Sequence, residues 1–264
     1  MANEMTTAIK LISTDFDGTI FAEFENPPIP LKLQAMIGEL QAQGVKWVIN
    51  TGRDMSSLME ALGRAHVSVH PDYLVLVERE IYRREHSAYV SVEEWNNRCH
   101  RAHRELFTQL RPRIPPLLDW VNTHYPATTL YADTYSPFCM IASDNGEADA
   151  IQARIETLLP TVPNLAFVRN DVYARFGHTD FNKGTALAEI TRQLSLTPEN
   201  VFAAGDHLND LPMLNLRFAR FLAAPANAVE PVQVALRTQG GYISKLSQGH
   251  GVAEGLASWL RRLS

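Results

Sequence analysis

Short apolar runs that end at polar turns recur along the first part of the chain. Residues 8–14 form a nearly continuous apolar run, which predicts a strand buried on both faces. Residues 45–50 and 73–77 have the same character. Between these runs, apolar positions recur at helical spacing over residues 31–43 and 55–65. This alternation of strands and helices predicts a parallel sheet wrapped by helices.

The pattern changes after residue 83. Residues 92–111 have the apolar stripe of a long helix, and a proline-broken segment follows. Pairs of short strands with turns between them then occupy residues 128–143 and 165–176. Strands joined by short turns indicate an antiparallel sheet with helices, of the α+β kind.

The first pattern returns with a helix that begins at Lys183 and an apolar strand over residues 201–204. We therefore predict an α/β fold, with a Rossmann-like parallel sheet core that carries helices on both faces. Residues 1–83 and 179–264 form this core, and residues 84–178 form an inserted α+β domain.

Two carboxylates follow the first strand, in the segment Asp-Phe-Asp-Gly-Thr at residues 15–19. A calcium loop is excluded because Ile20 and Asn26 stand where such a loop needs glycine and glutamate. A carboxylate such as Asp15 can attack phosphorus and form a covalent phospho-enzyme. A second one, Asp17, can protonate the leaving group and then deprotonate water. A plain polar turn is the alternative for this segment taken alone.

A second acidic cluster, Asp206 and Asp210, follows the strand at residues 201–204. The carboxyl ends of parallel strands meet at one edge of the sheet, so these acids should lie near the first pair. Four carboxylates together repel one another, which favours a divalent cation among them. Oxygen ligands beside a phosphate favour magnesium over zinc. The alternative is that these acids cap a following helix.

Two further residues stand where helices begin. Lys183 opens a helix, although the helix dipole disfavours a positive charge there, so an anion or a carboxylate partner is expected. Thr51, with the amides of Gly52 and Arg53, opens another helix, which is a ready anion site. Taken alone, a solvated lysine and a threonine helix cap are the favoured interpretations. Their occurrence with the two acid clusters favours phosphate chemistry.

Together, these segments resemble the four motifs of the haloacid dehalogenase superfamily of phosphohydrolases. The matching segments are Asp15-Phe16-Asp17-Gly18-Thr19, Thr51-Gly52-Arg53, Lys183-Gly184 and Gly205-Asp206-His207-Leu208-Asn209-Asp210. Residues 224–228 and 250–253 resemble the Cof-type subgroup. That subgroup carries a type IIB (C2) α+β cap between the second and third motifs. The resemblance therefore implies that residues 84–178 are a cap that sets substrate specificity.

The resemblance implies a role for each motif residue. The implied catalytic residues are Asp15, Asp17, Thr51 and Lys183, with Asp15 as the nucleophile and Asp17 as the general acid and base. The implied phosphate-binding residues are Thr51, Gly52, Lys183 and Asn209. The implied Mg²⁺ ligands are Asp15, Asp17 through its backbone carbonyl, Asp206 and Asp210. The implied enzyme is a magnesium-dependent phosphatase that hydrolyses a small phosphate monoester, preferably a sugar phosphate, through an aspartyl-phosphate.

One segment departs from the family pattern. Where relatives often have Glu-Asn-Gly after the third strand, this chain has Glu78-Arg79-Glu80, so the substrate of a relative is not carried over. Candidate substrate contacts in the inserted domain are Arg169, Arg175 and His178.

Composition narrows the set of partners. The formal net charge of −5 gives no basic field for nucleic acid or an acidic membrane. Cys99 and Cys139 lie in dissimilar contexts, which argues against a disulfide framework or a zinc site. Residues 1–5 lack the start of a signal peptide, and no apolar run approaches the ~20 residues that span a bilayer. We expect a cytoplasmic monomer or weak dimer that acts on a small phosphorylated metabolite.

Three alternatives to a phosphatase remain open. A phosphomutase or phosphotransferase would use the same core and return the phosphoryl group to a substrate. A receiver-type signalling domain would be far shorter, with its acceptor aspartate in the middle of the sheet order. A non-enzymatic phosphate-binding protein would be expected to lose Asp15 or Lys183, and this chain has both.

Overall fold

The structure is a computed structural model that describes residues 8–263. The expectation about residues 1–5 therefore lies outside the described residues. Among residues 8–263, no helix is long and apolar enough to cross a bilayer. The chain divides into a first unit, which extends up to Val92 and resumes at Lys183, and a second unit, Glu93–Asn182.

The strands and helices of residues 8–263 follow one another in chain order. Up to the end of the first segment they are β1 (Leu11–Thr14), α1 (Leu31–Ala42), β2 (Lys46–Asn50), α2 (Met55–Arg64), β3 (Tyr73–Leu76), β4 (Glu80–Glu85) and β5 (Ala88–Ser91). The second unit contains α3 (Glu93–Leu110), α4 (Ile114–His124), β6 (Thr129–Tyr131), β7 (Cys139–Ile141), α5 (Asn145–Glu156), β8 (Leu165–Asn170) and β9 (Tyr173–His178). The chain then forms α6 (Lys183–Gln193), β10 (Val201–Ala204), β11 (Phe221–Ala224), α7 (Glu230–Thr238), β12 (Tyr242–Ile243) and α8 (Gln248–Leu263).

The first unit is built on an eight-stranded sheet in the order β12-β11-β10-β1-β2-β3-β4-β5. The strands from β12 to β3 pair in parallel, and β4 and β5 add an antiparallel edge. Thr14 at the end of β1 pairs with Ala204 on one side and Ile49 on the other. The residues that follow these strand ends therefore leave the sheet at one edge. The predicted α/β class is confirmed.

The central strands are buried on both faces, as their apolar runs predict. All four residues of β1, β3, β10 and β11 are buried, which requires helices on each side of the sheet. Trp47 in β2 is fully buried and donates from Nε1 to Thr14 Oγ1 at 3.2 Å. The strand ends that carry the candidate residues thus rest on a rigid apolar layer.

The second unit has its own sheet and core. Its four strands lie in the order β6-β7-β9-β8 and pair antiparallel, with β8 and β9 joined by a short hairpin. The predicted turn at Asn170-Asp171 is that hairpin. A cluster of buried apolar side chains from α3, α4, α5 and this sheet includes Leu110, Val121, Phe138, Ile151 and Phe176. The assignment of this unit as a specificity cap stays a prediction.

The boundary of the insertion differs from residues 84–178. The strands β4 and β5 continue the first sheet as far as Ser91, so the second unit begins later, at Glu93, and ends at Asn182. A charged hairpin at a sheet edge lacks the apolar run that identifies a central strand, which is why the sequence pattern stopped at residue 83.

The proline-containing segment after α3 forms a helix, which the sequence analysis did not predict. Pro115 and Pro116 lie in the first turn of this helix, α4. Backbone amides in the first turn make no hydrogen bond within the helix, so proline is tolerated there. Two elements of the first unit, α7 and β12, have no counterpart in the sequence prediction because both are short. None of these differences involves a segment that carries one of the four motifs.

The helix cap at Asp54 provides a test of the local structure. Its Oδ1 accepts a hydrogen bond from Ser57 N at 2.8 Å at the start of α2. Because that amide loses its acceptor, Asp54→Ala should lower the free energy of unfolding by about 1 kcal/mol. Asp54→Asn keeps an acceptor and should cost much less. Denaturant titration of both variants measures this, and equal losses would contradict the capping role.

Candidate active site

A buried lysine joins two carboxylates at the edge of the first sheet. Lys183 Nζ lies 2.6 Å from Asp15 Oδ1 and 2.7 Å from Asp210 Oδ1, and all three side chains are buried. Asp15 follows β1, Asp210 follows β10, and Lys183 is the first residue of α6. The positive charge at this helix start therefore has two carboxylate partners, and the solvated-lysine alternative is wrong.

The electrostatics of this cluster favour a charged lysine. Burial acts to lower the pKa of Lys183, but the charges of Asp15 and Asp210 outweigh burial and raise that pKa. Burial and the charge of Asp210 raise the pKa of Asp15 well above its ordinary value of 3.8, although Lys183 acts in the opposite direction. One ammonium group thus offsets only part of the negative charge in this pocket.

A third buried acid completes the cluster. Asp206 Oδ1 accepts from Thr19 Oγ1 at 2.5 Å, and burial, followed by the charge of Asp210, raises the pKa of Asp206 to about 7. Ligand oxygens of Asp15, Asp206 and Asp210 all lie within 4.8 Å of one another. Hard carboxylate oxygens with excess negative charge are the donor set that suits a divalent cation such as Mg²⁺. These residues therefore fit the metal that the resemblance implies.

The turn that carries these acids is braced by Asp210. Its Oδ2 accepts hydrogen bonds from Asp206 N at 2.9 Å and from His207 N at 3.0 Å. A Cβ atom on Gly205 would lie 2.5 Å from Asp210 Cγ, so no larger residue fits at that position. Asp210 thus fixes the turn through one carboxylate oxygen and binds Lys183 through the other. The alternative interpretation, in which this acid only caps a helix, does not account for the contact with Lys183.

The second carboxylate of the first pair has a different partner. Asp17 accepts two hydrogen bonds from Arg53, at 2.7 Å to Nε and 2.6 Å to Nη2. The Arg53 guanidinium also lies over the rings of Phe16 and Phe21, at 5.4 and 5.6 Å from their centroids. Asp17 keeps 39% of its side chain exposed, whereas Asp15 keeps 6%. The two carboxylates therefore occupy different environments, as separate chemical roles require.

Arg53 was placed in a motif by the sequence but was given no role. Its pairing with Asp17 depends on contact between two loops that are 36 residues apart in the chain. The signal that could have found it is the position of Arg53 directly after Thr51 and Gly52, at the same sheet edge.

The turn after β2 places Thr51 beside this arginine. Thr51 is 1% exposed, and its Oγ1 accepts from Arg53 N at 3.1 Å. The cap of α2 is Asp54, so the interpretation of Thr51 as a plain helix cap is wrong. Because its oxygen accepts from a backbone amide, the Thr51 hydroxyl can donate its own hydrogen elsewhere. Gly52, beside it, is half-buried.

Two amide side chains complete the site. Asn209 is buried, and its Nδ2 donates to Glu78 Oε1 at 2.9 Å. Asn227 Nδ2 donates to Gly18 O at 2.8 Å, which fixes the loop behind the first acid pair. Gly18 has φ +73°, and a Cβ atom there would lie 2.6 Å from an oxygen of Asp206. Glu78 and Asn227 were not among the predicted site residues, although both lie in segments that the sequence analysis singled out, Glu78-Arg79-Glu80 and residues 224–228.

The candidate contacts in the second unit have local partners. Arg169 Nη1 lies 2.5 Å from Asp149 Oδ1, which gives that arginine a structural explanation. Arg175 Nη1 lies 3.8 Å from Asp133 Oδ2, and burial lowers the pKa of His178. Their contact with a substrate stays a prediction.

Comparison with known proteins finds similarity to one enzyme family. A model of the haloacid dehalogenase-like hydrolase family matches residues 121–256. The 5-amino-6-(5-phospho-D-ribitylamino)uracil phosphatase YcsE of Bacillus subtilis (strain 168) is 27% identical over an alignment of 262 residues, and the alignment covers 96% of this chain and 96% of YcsE.

Solved structures share the fold. The sucrose-phosphatase of Synechocystis sp. PCC6803, in complex with sucrose and phosphate, has a TM-score of 0.70 at 17% identity and covers 94% of this chain and 97% of its own. BT1666 of Bacteroides thetaiotaomicron, a phosphatase of the haloalkanoate (HAD) superfamily, has a TM-score of 0.65 at 18% identity and covers 98% of this chain and 97% of its own.

The raised pKa of Asp206 predicts a pH dependence of stability in metal-free buffer. A carboxyl group whose folded pKa is about 7 and whose ordinary value is 3.8 stabilises the fold at low pH, and this contribution is lost as pH rises through about 7. Asp206→Asn, which is neutral throughout, should therefore gain stability relative to wild type between pH 4 and 7. Denaturant titration at several pH values measures the difference.

Magnesium supplies the control for this experiment. Excess Mg²⁺ at pH 8 should stabilise the wild type more than Asp206→Asn, because the ion offsets the carboxylate charge. A difference between the two proteins that stays constant from pH 4 to 8 would contradict the electrostatic account of the cluster.

Proposed function

Because the chain belongs to the haloacid dehalogenase-like hydrolases and is a phosphatase, we propose that it hydrolyses a small phosphate monoester through an aspartyl-phosphate, with magnesium as its metal. The observation that carries this proposal is the buried Lys183 between Asp15 and Asp210, beside a third acid. A charged lysine and a desolvated carboxylate at one sheet edge suit attack on an anionic phosphate ester.

In the first step Asp15 attacks the phosphorus atom and the bond from phosphorus to the ester oxygen breaks. Lys183 holds Asp15 Oδ1, so the other carboxylate oxygen is the one that attacks. Asp17 enters this step protonated and gives its proton to the departing alkoxide, which leaves as an alcohol. Arg53 contacts both oxygens of the Asp17 carboxyl group and so sets the position of that group.

In the second step water attacks the phosphorus of the aspartyl-phosphate. Asp17 takes a proton from this water, the bond from phosphorus to Asp15 breaks, and inorganic phosphate leaves. Both carboxylates return to their starting state, so the two steps together consume one ester and one water molecule.

The phosphoryl group is held by Thr51, Gly52, Lys183 and Asn209 in this proposal. The Thr51 hydroxyl is oriented by Arg53 N so that its hydrogen can reach a phosphate oxygen. Lys183 adds a full positive charge that does not require a proton to be taken up first. These donors come from the ends of β2 and β10 and the start of α6.

The proposed magnesium ligands are the side chains of Asp15, Asp206 and Asp210 and the backbone carbonyl of Asp17. When bound, Mg²⁺ would offset the charge of the acids and of the phosphate oxygens. Thr19 and Asn227 would keep Asp206 in place, since Thr19 donates to its Oδ1 and Asn227 Nδ2 lies 3.5 Å from its Oδ2.

The proposed substrate is a sugar phosphate or another polyol phosphate. The name of YcsE specifies a phosphorylated ribityl compound, and the Synechocystis enzyme was solved with sucrose and phosphate. Both alcohol portions carry many hydroxyl groups. We further propose that the protein acts in the cytoplasm as a monomer or weak dimer, without nucleic acid or membrane partners, which its net charge of −5 favours.

Replacement of the nucleophile tests the mechanism. Asp15→Asn should reduce turnover of an aryl phosphate by roughly 10³-fold or more, because an amide cannot form the aspartyl-phosphate. Chelation of Mg²⁺ should have the same effect on the wild type, and added Mg²⁺ should restore turnover. Asp119→Asn, which changes an exposed aspartate of α4, is the control and should stay near wild-type activity. Normal turnover by Asp15→Asn would refute the mechanism.

A substrate screen tests the proposed class. The kcat/KM values for sugar and polyol phosphates should exceed those for nucleotides by about tenfold or more, because contacts to hydroxyl groups discriminate strongly. Phosphate release should not require a bisphosphate. Dependence on a bisphosphate activator, with transfer of the phosphoryl group to a second hydroxyl, would instead identify a phosphomutase.

A further inference from the structure

The turn after β3 has an unfavourable backbone conformation. Val77 has φ +43° and Glu78 has φ +67°, a region that side chains with a Cβ atom rarely adopt. Such a conformation is strained and persists only where the surrounding structure enforces it. Glycine would adopt φ +67° without this strain, but it would lack a carboxylate.

Backbone hydrogen bonds tie this strained turn to the Thr51 turn. Val77 N donates to Arg53 O at 3.0 Å, and Glu78 N donates to Thr51 O at 2.9 Å. The two residues with positive φ are therefore the ones that contact the turn that carries Thr51 and Arg53. The position of the Glu78 backbone is set by that turn.

The Glu78 side chain contacts the acidic turn after β10. Its Oε1 accepts from Asn209 Nδ2 at 2.9 Å. A Cβ atom on Gly52 would lie 3.2 Å from the same oxygen, so Gly52 leaves space for this carboxylate. Glu78 thus spans the distance between the turn that follows β2 and the turn that follows β10.

The contact determines the orientation of the Asn209 amide. Asn209 Oδ1 is buried and has no hydrogen-bond partner within residues 8–263, so nothing holds the amide from its oxygen end. A carboxylate accepts hydrogen bonds and cannot donate them, so Nδ2 must face Glu78. Reversal of the amide would place two oxygens against each other.

From this geometry we propose that Glu78 is a positioning residue, which orients the Asn209 amide and ties it to the Thr51 turn so that both phosphate-binding groups are fixed before phosphate binds. The inference rests on the proposed function, which assigns the phosphate to Thr51 and Asn209. The proposal also explains why the strained turn has glutamate at residue 78. Glycine would adopt this backbone conformation without strain, but it would not provide the carboxylate that orients Asn209.

The experiment measures phosphate affinity directly. Isothermal titration with inorganic phosphate in excess Mg²⁺ gives Kd for the wild type, Glu78→Ala, Glu78→Gln and Glu78→Gly. We expect Kd to rise about tenfold in Glu78→Ala, since a hydrogen bond to a charged group is lost. The Kd of Glu78→Gln should lie between the values for the wild type and Glu78→Ala. The glutamine Oε1 can still accept a hydrogen bond from Asn209, but the glutamine amide permits either orientation of the Asn209 amide. With an aryl phosphate, KM should rise more than kcat falls.

Glu78→Gly separates positioning from support of the fold. It relieves the positive φ, so its thermal midpoint should equal or exceed that of Glu78→Ala, while its phosphate Kd should rise as much. A residue that only supported the fold would change affinity and stability together. Glu189→Ala, which removes a carboxylate paired with Arg192 at the far end of α6, is the matched control and should leave Kd unchanged.

A double-mutant cycle with Asn209→Ala completes the test. Loss of Glu78 should have little further effect once Asn209 is gone, because the proposed role acts through that amide. Additive effects, or an unchanged Kd in Glu78→Ala, would overturn the inference. Failure of the proposed function gives a different result, in which wild type binds phosphate and depends on Glu78 but does not hydrolyse an aryl phosphate.

Discussion

The buried ammonium group of Lys183 is the interaction on which the site depends. It lies within hydrogen-bond distance of Asp15 and Asp210, which belong to different turns at one edge of the sheet. Breaking a buried ion pair typically costs about 3–5 kcal/mol, because a charge is left without a partner. The same ammonium leaves three buried acids only partly neutralised. The cluster therefore retains an excess of negative charge, which a divalent cation can offset.

Other long-range contacts arrange the remaining groups around this centre. Arg53 links the turn after β2 to Asp17, Glu78 links the same region to Asn209, and Asn227 links a later loop to the backbone of Gly18. Each contact joins a loop that follows one strand to a loop that follows another. Loops are mobile unless such contacts hold them. The sheet therefore fixes where each loop begins, and the side-chain pairs fix the positions of the functional groups on the loops.

The sequence was sufficient to identify the candidate residues that lie directly after a strand or at the start of a helix. Asp15 and Asp206 follow apolar strands, and Lys183 opens a helix, so their approach to one another follows from the topology of a parallel sheet. Arg53 and Glu78 were not identified as site residues for the opposite reason. Their partners lie 36 and 131 residues away, and no local pattern records a pair of that kind.

The amino-acid sequence by itself determined the α/β class, the alternation of the first three strands with helices and the chemical types at the sheet edge, because apolar periodicity and turn residues are local properties. Tertiary structure alone decided which groups pair. It gave Asp17 an arginine partner, made Asp54 rather than Thr51 the helix cap, and extended the first sheet through β4 and β5. The physical reason is that a charge or an amide is satisfied by whichever partner the fold brings within about 3 Å, and that distance is not encoded in sequence separation.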